Sequence, residues 1–179
     1  MQYTDKLPVL IVRYSGIYDY EGLIVLIVTW LKQRKFWFKE STVKHKVPSP
    51  LGAEEERKFE AERKVDGYRK EVINIYFHLW EMINLEVMDK GKKKLLTQAR
   101  MEIRLSGSVI LDYQNKWEKS ELHLKIRDFI HAHIYTRKVL DAYCDDLYYR
   151  IVKLHNLIKE YLGMQTKSRE FEGYLKDNV

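Results

Sequence analysis

The sequence predicts an α+β fold: a small mixed sheet, dominated by a long antiparallel hairpin, packed against an N-terminal apolar helix and C-terminal helices. Two long runs of alternating apolar and polar residues, an apolar helical segment near the start and a heptad seam near the end predict it.

From the start of the chain, Val9, Leu10, Ile11 and Val12 form a short apolar, β-branched run after Pro8 and read as a strand. Ser15-Gly16 marks a turn. Asp19 is placed to cap a helix from Tyr20 to Arg34, with Glu21 favourable in its first turn and Gly22 unfavourable by about 1 kcal/mol relative to Ala. Leu23, Ile24, Leu26, Ile27, Trp30 and Leu31 cover most of that helix's circumference, so it needs cover on more than one side. Phe36 to Val47 reads as a second strand, stopped by Pro48 and Pro50. The two strands and the helix make a strand–helix–strand unit, right-handed if the strands are parallel. The charged stretch 54–65 fits a helix or a polar strand, and Asp66-Gly67 ends it either way.

The strongest pattern follows, over residues 71–113. Odd positions read Ile73, Ile75, Phe77, Leu79, then Ile83, Leu85 and Val87 after Glu81; a second odd series includes Leu95, Met101, Ile103, Leu105, Val109 and Leu111. A helix face cannot alternate with period two over this length. Met88 to Lys92, containing Gly91, supplies the turn. Pairing of Ile73–Val87 with Leu95–Val109 is expected, odd side chains facing the core. Strands approaching 17 residues span roughly 55 Å at about 3.3 Å per residue, so the hairpin must bend, wrap or project. Glu81 and Gly107 are the candidate bend or bulge positions. Val72, Tyr76, His78, Trp80 and Met82 make the other face of the first strand partly apolar.

Beyond the hairpin, Ser120 starts a helical pattern through Leu122, Ile126, Phe129, Ile130 and His133. Thr136 is the candidate cap of the last long helix. There Leu140, Cys144, Leu147, Ile151, Leu154, Ile158 and Tyr161 repeat at alternating spacings of 4 and 3, ended by Gly163. The domain is therefore 1–162, with a tail, 163–179, whose Phe171, Tyr174 and Leu175 are spaced like one side of a short docking helix.

The chain has 179 residues, a net charge of +6 and a pI near 9.2. Charges of both signs are interspersed, which falls short of a nucleic-acid signature. Thirteen Tyr, six Phe and four Trp suit either a well-filled core or broad interfaces. The single cysteine excludes an intramolecular disulfide and suggests a reducing, cytoplasmic setting or a virus particle assembled there. The longest apolar run, Leu23 to Leu31, is too short to span a bilayer.

Chemistry is sparse at motif level. His131 and His133, with His123 nearby, are the closest histidines, but on a helix i and i+2 diverge by about 200°. On a strand no evident third ligand joins them. Cys144 falls in the apolar seam, where a small buried hydrophobe belongs. Asp145-Asp146 and Glu54-Glu55-Glu56 read as solvated carboxylate clusters. No phosphate-cradling or nucleophile-elbow motif occurs. No catalytic residue, metal or cofactor is expected.

The pattern therefore points to a non-enzymatic structural or adaptor subunit of a larger protein assembly, for example a virion tail, neck or baseplate component. Other subunits, the same or different, are its expected partners, with Tyr76, Trp80, Met82, Phe171, Tyr174 and Leu175 as interface residues. The alternative is a nucleic-acid-binding protein whose basic hairpin tip, Lys90, Lys92, Lys93 and Lys94, engages phosphates together with Arg100 and Arg104.

Overall fold

The computed structural model describes residues 3–49, 52–89, 92–114, 125, 129 and 137–164. Within these, the element order is β1 (Tyr3–Lys6), β2 (Leu10–Tyr18), α1 (Tyr20–Gln33), β3 (Trp37–Ser49), β4 (Gly52–Lys64), β5 (Arg69–Asp89), β6 (Lys92–Leu111) and α2 (Arg137–Tyr161). The six strands form one antiparallel sheet rather than the small mixed sheet expected.

The alternation in the sequence is realised as the β5–β6 hairpin, of 21 and 20 residues. Its register runs from Arg69↔Leu111 to Asp89↔Lys92, placing the turn where it was expected. β5 pairs next with β4 and β4 with β3. The ambiguous stretch 54–65 is thus a strand to Lys64, because its alternate residues Glu55, Phe59 and Ala61 are buried. β3 runs through Pro48 to Ser49, beyond the predicted stop; as an edge strand it tolerates a residue without an N–H.

Both N-terminal strands pair with the free edge of β6. β1 matches Tyr3↔Leu111 to Lys6↔Ser108, and β2 matches Leu10↔Leu105 to Tyr18↔Thr97. The residue sum shifts from 114 to 115 between them, so one extra residue is accommodated near Pro8. β2 passes straight through Ser15-Gly16, where a turn was expected. It starts from one edge of the sheet and β3 occupies the other, so α1 connects opposite edges. Three antiparallel neighbours separate β2 from β3: the two run in the same direction but do not pair.

Helices and the apolar sheet face make one core. Val12, Ile73, Ile75, Phe77, Leu79, Met101, Ile103, Leu105 and Val109 meet Leu23, Ile27 and Leu31 of α1 and Leu147, Ile151, Leu154 and Ile158 of α2. Asp19 caps α1 as expected, accepting the Gly22 backbone N–H at 2.8 Å. The helix is less enclosed than its composition implies, since Val25 is 63% exposed in a stripe with Glu21 and Thr29. The α2 seam is buried from Cys144 to Ile158, while Tyr161 emerges at the surface. Gly163 follows with φ +68°, the left-handed conformation of a C′ residue; Met164 N–H bonds to the Lys159 carbonyl at 2.9 Å.

The two candidate bend positions differ. Glu81 has φ +58° and sits in a bulge between the pairs Trp80↔Arg100 and Ile83↔Gln98. Gly107 is in regular register with Ile73; its bare backbone instead admits Ile151, whose Cδ1 would lie 2.5 Å from an added Cβ. The extra residue at the bulge reverses the facing of β5. Odd residues face the core up to Leu79, as expected, whereas Ile83 and Val87 are exposed, contrary to the expectation.

The predicted helix after Ser120, the Thr136 cap, His123, His131, His133 and the tail residues Phe171, Tyr174 and Leu175 lie outside the described residues. Leu154 is fully buried, so Leu154→Ala should cost about 2–5 kcal/mol in urea denaturation. A loss below about 0.5 kcal/mol would mean that the seam is not covered.

Candidate functional site

Among the described residues, both helices pack on one side of the sheet, and the other side is where polar chemistry collects. Cross-strand register builds this open face in rows. One row reads Ile11, Arg104, Tyr76 and Lys58; the next reads Arg13, Glu102, His78, Glu56 and Lys44. Ser15, Arg100 and Trp80 follow. Along β5, Tyr76, His78 and Trp80 therefore form an aromatic column flanked by charged columns on β4 and β6.

Specific contacts tie the columns together. Glu102 accepts from Arg13 Nε at 2.7 Å and from Arg104 Nε at 2.6 Å. These two guanidinium hydrogen bonds hold its carboxyl below the ordinary value of 4.5. The Arg104 guanidinium lies 5.7 Å from the Tyr76 ring centre, and that of Arg100 lies 5.2 Å from Trp80. His78 stacks on Trp80 at 3.8 Å between ring centres. Beside Trp80, Arg13, Ser15 and Arg100 line a cleft of about 540 Å³.

Toward β4, Glu54 and Glu56 project two residues apart onto the same face. Glu54 Oε1 is 2.6 Å from His78 Nε2, and the Tyr76 hydroxyl is 3.5 Å from His78 Nδ1. Burial first, then the Glu56 carboxylate, raises the Tyr76 phenol above its ordinary value. The solvated triplet expected at 54–56 is thus divided by the pleat. Glu55 points the other way and is buried, accepting from the Tyr20 hydroxyl at 3.1 Å and pairing with Arg57. Desolvation drives that arrangement, because a buried carboxylate needs donors.

Beyond the bulge the aromatic column continues as Ile83, Leu85 and Val87, set opposite Gln98, Leu96 and Lys94. Ile83, Val87 and Met88 on β5 and Leu95 on β6 are exposed, so this distal arm of the hairpin carries little core of its own. Of the expected interface residues, Trp80 and Tyr76 lie on the open face, half-buried. Met82 does not join them; the bulge turns it inward, where it packs against the core.

The basic tip is less available than the sequence suggests. Lys94 reaches Asp19, the cap of α1, at 3.0 Å, and Lys93 pairs with Glu86 at 3.3 Å. Lys92 begins β6, and Lys90 lies outside the described residues. Arg100 and Arg104 do share the open face, some distance along the hairpin from the tip.

Cys144 is buried and its thiol lies 3.5 Å from Asp5 Oδ2. Burial first, then the Asp5 carboxylate, pushes it up to about 12, which keeps it a protonated thiol at neutral pH. No helix among the described residues is long and apolar enough to cross a membrane. Compared with known proteins, the chain matches no protein-family model and no curated protein sequence.

The Glu102 cluster makes a pH prediction. A carboxyl held below its ordinary value stabilises the fold fully above about 4.5, and that contribution is lost as pH falls through the lower folded-state value. Urea midpoints at pH 7 and pH 3 should therefore differ less in Glu102→Gln than in the parent. Equal differences would show that the two arginines do not act on this carboxylate.

Proposed function

We propose that this chain is a non-enzymatic structural or adaptor subunit that docks on other protein subunits through the distal arm and the adjoining open face. The reading rests chiefly on the bulge at Glu81, which places Ile83, Leu85 and Val87 in line with Trp80 on an outward face. A sheet that needed these residues for its own core would bury them. Instead Ile83 is 46% and Val87 38% exposed, forming an apolar ridge that water covers poorly. Trp, Tyr and Arg are the residue types that dominate protein interfaces, and Trp80, Tyr76, Arg100 and Arg104 supply them next to the ridge.

A nucleic-acid platform is the alternative, supported by the arginines set over aromatic rings. Charge favours the protein partner. Glu54 and Glu56 make the β4 column largely acidic and Glu102 interrupts the arginines of β6, so a phosphate backbone would meet these carboxylates as well as the arginines. A cellular scaffold and a virion subunit are equivalent settings on these physical grounds.

The Ile83→Asp/Val87→Asp variant tests the reading, since both side chains are exposed and the variant should fold. In an extract of the native source, the parent chain should migrate in a complex well above 21.6 kDa, and the variant as a free chain. A parent that migrates at its own mass contradicts the reading. Binding of DNA or RNA tighter than about 10⁻⁶ M at physiological salt, weakened by Arg100→Gln/Arg104→Gln, would favour the alternative.

A further inference from the structure

We propose that Glu54, Glu56 and His78 form a binding site for one divalent transition-metal ion of the zinc class. The three side chains offer one ligand atom each, all within 4.8 Å of one another, on the open face. Their convergence follows from strand geometry. Glu54 and Glu56 are two residues apart on β4, and His78 is the cross-strand partner of Glu56 on β5. Metal–ligand bonds of about 2.0–2.2 Å require neighbouring donor atoms about 3.3 Å apart. Side-chain torsions can close the remaining distance, because all three residues are only half-buried.

The surroundings of His78 distinguish this group from an ordinary surface ion pair. Its Nε2 faces the carboxylates, while Nδ1 faces the Tyr76 hydroxyl at 3.5 Å. Stacking on Trp80, with 30° between the planes, fixes the ring's orientation. An imidazole with one nitrogen toward carboxylate donors and the other on an outer polar group has the arrangement of a metal-bound histidine. Glu102, the cross-strand neighbour of His78 on β6, is engaged by Arg13 and Arg104, so the oxygen donors are those of β4, Glu54 and Glu56.

Donor chemistry selects the ion. Calcium needs six to eight oxygens and magnesium a strict octahedron of them, whereas one imidazole and two carboxylates suit zinc and its neighbours. Three protein ligands leave at least one coordination position for water or a partner's side chain. Binding requires Nε2 to present its lone pair to the ion, with the ring proton on Nδ1, toward the Tyr76 hydroxyl.

Zinc chloride titrated calorimetrically into the chelator-treated full chain tests the site. One ion per chain should bind, and saturating zinc should raise Tm. His78→Ala should abolish both effects, while Tyr76→Phe, which retains all three ligands, should weaken binding by about 10- to 100-fold. His123→Ala/His131→Ala/His133→Ala should bind as the parent does. If His78→Ala loses its metal-free far-UV spectrum, Glu54→Gln, close in shape to the parent, takes its place with the same expectation. Absence of binding up to about 1 mM zinc, or binding unchanged in the ligand variants, overturns the proposal.

Discussion

Strand β6 makes backbone hydrogen bonds along both of its edges, to β5 over almost its whole length and to β1 and β2 on the other side. A strand paired on both edges cannot slip, because a shift of one residue would carry every side chain to the opposite face. The penalty here would be severe: Met101, Ile103, Leu105 and Val109 would enter water, and Glu102 and Arg104 would be forced beneath the helices. This alternation fixes where α2 can lie. Gly107 then sets how closely it approaches, because Ile151 occupies the space a side chain would fill.

A second constraint acts at one residue. The bulge at Glu81 ends the region in which β5 and β6 present the same alternation to the core. On its proximal side the hairpin belongs to the domain. Past it, Ile83 and Val87 face outward, continuous with Trp80, and the hairpin becomes an arm. The open face thus grades from charged and aromatic to apolar along one strand. Such a gradient suits a protein partner with a matching apolar centre and polar rim.

The hairpin, the cap at Asp19, the buried α2 seam and the stop at Gly163 were legible because each depends on local period or local backbone chemistry; the exact register was not, since Ile73 pairs with Gly107 and Val87 with Lys94 rather than with Val109 and Leu95. The bulge position was also legible at Glu81, a charged residue in an apolar series, but its consequence for Ile83 and Val87 was not. The strand at 54–64 was hidden because Ala53, Glu55, Phe59 and Ala61 are not uniformly apolar; Glu55 faces inward only because Tyr20 and Arg57, distant or oppositely charged, satisfy it. Without that strand no register existed to set Glu56 beside His78, so the Glu54–Glu56–His78 group could not be read, although the i, i+2 spacing of the carboxylates was visible. β1 was missed for a related reason: a four-residue stretch that is polar after Tyr3 becomes a strand only because the end of β6 offers an unpaired edge.

The central claim is that β6 and its neighbours form the stable unit and that the hairpin beyond the bulge does not share its core. Native-state hydrogen exchange, resolved by residue, tests this most directly. Amides of Ala99 to Val109 and of Ile73 to Leu79 should exchange only through global unfolding, whereas those of Ile83 to Leu96 should exchange far faster through local opening. Equal protection on both sides of Glu81, or an arm that outlasts the centre of β6, would contradict the account.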